Sequence, residues 1–357
     1  MPSASVLEEL DLPIVLAPMA GGPSTPELAA AVSAAGGLGF LGAGYLSADR
    51  LRDDVVAATR LTSRSFGVNV FVGGDRPGDP DLVAAYAARV AAEAERSGAQ
   101  LGEPRFDDDA FDAKVAVLVA DPVAVVSFTF GLPPRSAVDE LHRAGAEVWL
   151  TVTSPGEARQ AAELGPDALV VQGVEAGGHR GIFEDDDEAS DLTLLAALQL
   201  IGAAVDLPLV AAGSIMTGDA VAAVLAAGAS AAQLGTAYLL ASEAGTSPAQ
   251  RAATVTETRT VLTRAFTGRL ARGITNRFQR EHESSAPRAY PEVNHVTSPL
   301  RAKARKDGDA DLFNLWAGQA HSLAETVNAA VLTRRLAADA REALDRAARR
   351  LEVRPPE

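Results

Sequence analysis

One stretch of the chain concentrates groups able to do chemistry. It reads Val170-Val171-Gln172-Gly173-Val174-Glu175-Ala176-Gly177-Gly178-His179-Arg180-Gly181. An apolar run ends in an amide, Gln172; a Gly177-Gly178 pair follows, then one imidazole, His179. Histidine changes charge near neutral pH, which suits proton transfer or hydrogen bonding to a polar substrate. The other histidines lack such a frame. His142 falls on an amphipathic stretch, and His282, His295 and His321 have no glycine-rich surroundings.

Four more turns follow short apolar runs. Ala17-Pro18-Met19-Ala20-Gly21-Gly22 is either an ordinary tight turn or a place where backbone approaches a flat ligand. Asn69, inside Phe66-Gly67-Val68-Asn69-Val70-Phe71, puts an amide in a buried run. Such an amide must be hydrogen-bonded, to a ligand or to a neighbouring loop. Ala212-Gly213-Ser214-Ile215 and Gln233-Leu234-Gly235-Thr236 offer backbone N–H groups suited to cradling one phosphate.

Several chemistries are excluded. The 357 residues contain no cysteine, which removes thiolate metal sites, disulfides and cysteine nucleophiles. Neither a Gly-x-x-x-x-Gly-Lys-Ser/Thr loop nor a Gly-x-Ser-x-Gly nucleophile motif is present. The net charge of −15 argues against nucleic acid or an anionic membrane as partner. No metal is expected; the acidic run at residues 184–188 reads as solvated surface. Trp149 and Trp316 read as packing residues. No membrane span and no secretory signal are expected, so a cytoplasmic monomer or homodimer is the expectation.

The elements that must position these residues form a regular beat. Apolar runs at residues 14–17, 38–41, 67–72, 123–128, 147–152, 168–172, 209–212 and 231–235 read as buried parallel strands. Amphipathic, Ala-rich stretches between them read as crossover helices. Eight such units predict a closed α/β barrel, the (β/α)8 or TIM fold, with function at the C-terminal ends of its strands. Residues around 100–109 read as a polar insertion in the third unit. After about residue 245 no strand signal is evident. Residues 1–245 are therefore expected to form the barrel, and 246–320 a mostly helical domain over its mouth. The C-terminal segment, about 321–357, is expected to return to the barrel.

Taken together, these segments resemble the nitronate monooxygenase family, once called 2-nitropropane dioxygenases. The likeness continues through Phe266-Thr267-Gly268-Arg269-x-Ala271-Arg272-Gly273 and Asn314-Leu315-Trp316-Ala317-Gly318-Gln319. The run Gly21-Gly22-Pro23-Ser24-Thr25-Pro26-Glu27-Leu28 looks like its class I branch. The resemblance implies one non-covalent FMN at the barrel mouth. It implies oxidation of alkyl nitronates, such as propionate 3-nitronate, by O2, with release of nitrite and a carbonyl product. By that likeness Pro18, Met19, Ala20, Asn69, Gln172, Gly177, Gly178, Gly213, Ser214, Gln233, Leu234, Gly235 and Thr236 surround FMN. His179 faces the substrate, and Tyr45 and Tyr290 line the cavity. FMN-dependent enoyl-(acyl-carrier-protein) reductases share the Glu-Ala-Gly-Gly-His frame and form the alternative, together with a related NADH:quinone reductase.

Overall fold

The computed structural model describes residues 5–74, 76–185 and 191–351. Eight parallel strands form a barrel: β1 (Ile14–Leu16), β2 (Gly39–Gly42), β3 (Phe66–Phe71), β4 (Val125–Thr129), β5 (Glu147–Val152), β6 (Ala168–Gln172), β8 (Leu209–Ala212) and β9 (Ala231–Leu234). Their order is β1-β9-β8-β6-β5-β4-β3-β2, and a parallel bridge from Val15 to Leu38 closes the ring. This is the predicted TIM barrel. β7 (Gly178–His179) branches from the loop after β6.

Alternation along each strand sorts the side chains. One set packs outward against the helices. The other points into the barrel, where Val15, Phe40, Val125, Trp149, Ala168 and Val210 form a dry interior cluster. Phe40 and Trp149 meet at 5.8 Å between ring centroids. Gly67 is required here, because a Cβ would lie 2.5 Å from the Phe40 ring. One inward step further along the strands the chemistry changes. Asn69, Ser127, Thr129, Thr151, Gln172 and Gln233 make the mouth polar.

The helices are α1 (Val6–Glu9), α2 (Pro26–Ala34), α3 (Ala48–Leu61), α4 (Pro80–Ser97), α5 (Phe111–Ala120), α6 (Arg135–Ala144), α7 (Pro155–Ala162), α8 (Leu194–Gly202), α9 (Gly218–Ala226), α10 (Pro248–Thr254), α11 (Arg277–His282), α12 (Glu292–Asp307) and α13 (Ala329–Leu351). Their starts are chemically specified. Thr25, Ser47, Ser154, Thr217 and Ser247 accept a backbone N–H from the first turn. Proline occupies the first turn of α2, α4, α7 and α10. On α13, Leu332, Leu336 and Ala340 join the barrel's outer apolar cluster, and Thr333 Oγ1 meets the Tyr238 hydroxyl at 2.8 Å.

A second apolar cluster covers the mouth. It is built around Phe266 and Phe278, stacked at 4.9 Å, with Val293, Leu300 and Phe313. Val83, Tyr86 and Val90 of α4 belong to it although they precede residue 245 in the chain. Arg277 grips Glu93 of α4 with both Nη atoms at 2.8 Å, a fork geometry that fixes orientation as well as charge.

Two expectations need correction. The region after residue 245 contains strands β10 (Thr260–Thr263) and β11 (Ala271–Ile274), paired antiparallel. β7 adds to β11, so His179 pairs with Ala271. These strands are four residues long, and Arg272 and Gly273 carry no strand signature. β10 and β11 pair locally, but strands this short show too few periods to read, and the other partner of β11, β7, lies far away in the sequence. The acidic run is also not wholly solvated. Asp185 is mostly buried, pairs with Arg264 at 2.7 Å and accepts the Leu270 N–H at 3.1 Å. Asp186, Asp187 and Glu188 lie outside the described residues. Among the described residues no helix is long and apolar enough to cross a membrane.

Candidate active site

A cavity of about 860 Å³ lies between the C-terminal ends of the barrel strands and the covering cluster. That size falls in the upper part of the range for ligand sites. The sequence-selected residues Pro18, Met19, Ala20, Asn69, Gln172, Gly177, Gly178, His179, Gly213, Ser214, Gln233, Leu234, Gly235 and Thr236 all line it. So do Tyr45 and Tyr290.

The backbone supplies a second, independent mark. Among the described residues, five non-glycines have left-handed φ: Tyr45, Asp109, Ala110, Phe130 and Ser214. All five line this cavity. Such conformations cost about 1–3 kcal/mol each and cluster where function demands them.

Asn69 resolves its alternatives in favour of a neighbouring strand on its donor side. Its Nδ2 reaches Ser127 Oγ at 2.9 Å and Thr129 Oγ1 at 3.0 Å, both on β4. Its Oδ1 is left toward the cavity. Gln172 is more heavily engaged. Its Oε1 accepts from Arg180 Nη1 at 2.9 Å and from the Gly181 N–H at 2.8 Å. Its Nε2 donates to the His179 carbonyl at 3.0 Å. The amide thus braces the loop that presents His179. Arg180, buried, completes the brace by donating to the Gly173 carbonyl at 2.6 Å.

At the ends of β8 and β9 the chain forms a small cradle. Gly213 has φ +148°, and a Cβ there would lie 3.4 Å from Gly173 N. Ser214 Oγ accepts the Ala320 N–H and Thr236 Oγ1 accepts the Gly318 N–H, each at 3.0 Å. Both hydroxyls keep their own proton for a ligand. Gly318, which sequence reasoning passed over as a site residue, closes this cradle; a Cβ on it would lie 2.9 Å from Ser214 Oγ.

His179 sits opposite, half-buried, among rings. Trp316, Phe130 and Tyr290 lie 5.4, 5.6 and 5.9 Å away, centroid to centroid. Trp316 therefore lines the site as well as packing. Nε2 of His179 meets Thr267 Oγ1 at 2.9 Å. Thr267 Oγ1 also lies 3.2 Å from the Arg269 carbonyl; with its proton turned there, Thr267 accepts and Nε2 of His179 donates. Nδ1 is left with its lone pair and no protein partner among the described residues. Desolvation first, then the nearby cations Arg269 and Arg301, push the imidazole pKa down to about 3. The ring is neutral at physiological pH. Arg269 and Arg301 are the charged residues that sequence reasoning missed. Burial marks both, Arg301 with no carboxylate acting on it and Arg269 with Asp185 and Glu157 in its surroundings, and no local pattern does.

The other histidines keep structural or surface roles. His321 is clamped between the Thr254 and Thr258 carbonyls, and His142 meets Asp167 at the surface. His282 lies against Glu93 at 3.3 Å. His295 lines the cavity rim and pairs with Asp107 at 2.9 Å.

Comparisons with known proteins agree with this geometry. Residues 5–339 match the family model described as nitronate monooxygenase. A nitronate monooxygenase from Paraburkholderia phytofirmans is 38% identical over 345 residues, covering 94% of each chain. A probable nitronate monooxygenase from Staphylococcus aureus is 38% identical, covering 89% of this chain and 91% of the relative. Among solved structures, nitroalkane oxidase from Streptomyces ansochromogenes superposes with TM-score 0.93 at 49% identity, covering 96% of this chain and 100% of that one. FabK from Thermotoga maritima superposes with TM-score 0.76 at 26% identity, covering 97% of both. The chain belongs to the nitronate monooxygenase family and is a flavin-dependent oxidoreductase.

Proposed function

We propose that the protein binds FMN at the barrel mouth and oxidises alkyl nitronates of the propionate 3-nitronate type with O2, releasing nitrite and a carbonyl product. The observation that carries this reading is the pairing of two features across one cavity. On one side are the Gly213-Ser214 and Gly235-Thr236 turns, whose hydroxyls keep free protons. On the other is a neutral imidazole with one unpartnered nitrogen.

The residues fit FMN. Backbone N–H groups and two hydroxyls suit a phosphate, and the glycine-bearing Met19–Gly22 turn leaves room for a flat ring. FMN bound there supplies the electron-accepting step and the route to O2. The rest belongs to the chain. The field of Arg269, the larger of the cationic influences on His179, favours an anion beside the imidazole. Phe130, Tyr290 and Trp316 give apolar walls that exclude water and hold an alkyl tail. A nitronate needs no proton removed. A neutral nitroalkane would have to give its α-proton to Nδ1 of His179, which is a weak base at a pKa near 3, so the nitronate is the better-matched substrate. Residues 246–320, with α4, form the cover over this substrate space.

The test is anaerobic titration of purified holoprotein with propionate 3-nitronate. The flavin absorbance should bleach without any nicotinamide nucleotide. Bleaching by NADH alone, with nitronate inert, would replace this reading by the reductase one.

A further inference from the structure

One end of the cavity is built from cations that no carboxylate answers. α12 turns Asn294, Ser298, Arg301 and Arg305 toward the space, a spacing that keeps them on one helix face. Arg301 is only 9% exposed. Its acceptors are all neutral: Thr297 Oγ1 at 3.0 Å, Asn314 Oδ1 at 3.1 Å, and the Asn294 carbonyl and Oδ1 at 3.0 and 2.6 Å. Arg305 reaches for the same Asn314 oxygen at 3.5 Å and lies over the Phe313 ring. Two guanidiniums therefore lean on one uncharged oxygen. Neither has an acidic partner among the described residues.

The acids on the same wall are already paired. Asp109 meets Lys114 at 2.6 Å; Asp107 meets Arg105 and His295, each at 2.9 Å. Asp108 turns Oδ1 to the Ala110 N–H. Meanwhile the amide nitrogens of Asn294 and Asn314, their oxygens committed to Arg301, have no protein acceptor among the described residues. Burial lowers the Arg301 pKa to about 10, which still leaves a cation at neutral pH. An unpaired buried charge is costly, and this one is held facing open space. Donors surround that space, and of the acids lining the cavity Asp107 and Asp109 are held by their own cations while none is paired with Arg301 or Arg305 among the described residues.

We propose that this face of α12, with Asn314, is an oxyanion subsite that takes a carboxylate at the end of the substrate remote from the reacting carbon. The proposal rests on the nitronate reading and extends it to specificity. A substrate with two anionic ends is held at both, one beside His179 and one at Arg301 and Arg305. An alkyl nitronate of equal length satisfies only the first.

The experiment compares kcat/KM for propionate 3-nitronate and propyl-1-nitronate in the native holoenzyme and in Arg305→Gln, Arg305→Lys and Arg301→Gln. The native ratio should favour the carboxylate substrate. In Arg305→Gln that ratio should fall about 10- to 100-fold, carried by KM, the worth of one charge-assisted hydrogen bond. Arg305→Lys should recover most of it. An unchanged ratio, or a native enzyme indifferent to the carboxylate, overturns the subsite. A second arm needs no turnover: millimolar propionate should raise the Tm of native protein and not of Arg301→Gln. If both nitronates are inert but propionate still binds through Arg301, the subsite stands and the nitronate reading falls. If inorganic phosphate stabilises the native protein as strongly as propionate, the assignment to a substrate carboxylate is wrong.

Discussion

The Oγ1 of Thr267 lies 2.9 Å from Nε2 of His179, joining the covering hairpin to the loop that carries the imidazole. With the Thr267 proton turned to the Arg269 carbonyl, the contact selects the tautomer that carries its hydrogen on Nε2. Thr267→Val keeps the shape and removes that acceptor. It should lower kcat/KM for a neutral nitroalkane by about 10- to 100-fold, a part of the about 10²- to 10⁴-fold that a positioned general base contributes. The nitronate, which yields no proton, should lose less. Thr267→Ser should restore the nitroalkane rate. Steady-state kinetics with both substrates separate this from simple damage to packing, which lowers both alike.

The imidazole pKa near 3 has two pH consequences. In kcat/KM for a nitroalkane, which reports the free enzyme, the acidic limb belonging to His179 should lie toward pH 3. A limb centred at the ordinary histidine value of about 6.5 would contradict the buried, cation-flanked ring. Stability follows with a definite sign. The folded value is below the unfolded one, so the unfolded chain binds the extra proton between the two. Stability is full above about pH 6.5 and declines as pH falls through that window toward 3. His282 and His295, also lowered by desolvation, act in the same direction. His179→Gln should make the urea midpoint fall less between about pH 7 and about pH 4.5 than it does in the native protein.

Much of the barrel was legible because its signals are local. β5 and β6 fall on the residues their apolar runs predict, and the polar mouth appears as amides and glycines at the ends of those runs. α5 was not read as an element. Its Val-rich, Ala-rich sequence has no polar face, because Val115, Val117 and Leu118 are buried. The seat of His179 was invisible for a different reason: β10 and β11 are only four residues each, and β7 joins β11 across a long stretch of chain. Arg301 and Arg305 follow Pro299 in a stretch with no motif to single them out. Only the placement of α12 against the mouth turns them inward.

Arg180 tests how firmly the imidazole loop is held. It is 1% exposed and bonds the Gln172 side chain and the Gly173 carbonyl. Burial lowers its pKa to about 10, so it is still charged at neutral pH. Arg180→Met fills similar volume but strands those oxygens. It should cost about 2–3 kcal/mol in urea denaturation, the penalty for buried acceptors left unpaired. Gln172→Leu should cost a comparable amount, and the double variant less than the sum, because the two residues share one network. Full additivity would show that they do not act as a unit.

Gly213 tests the cradle itself. Its φ of +148° is a conformation side chains rarely adopt, and a Cβ would lie 3.4 Å from Gly173 N and 3.5 Å from Gly173 Cα. Gly213→Val therefore pays twice, in backbone strain and in crowding at the strand end. The crowding falls where the Ser214 and Thr236 hydroxyls face the cavity, so ligand binding should fail before folding does. The measurement is flavin absorbance per mole of purified protein, set against circular dichroism. Gly213→Val should retain helical signal and carry little flavin, with Gly213→Ala between it and the native protein. Full flavin occupancy in Gly213→Val would show that the phosphate is held elsewhere on the barrel rim.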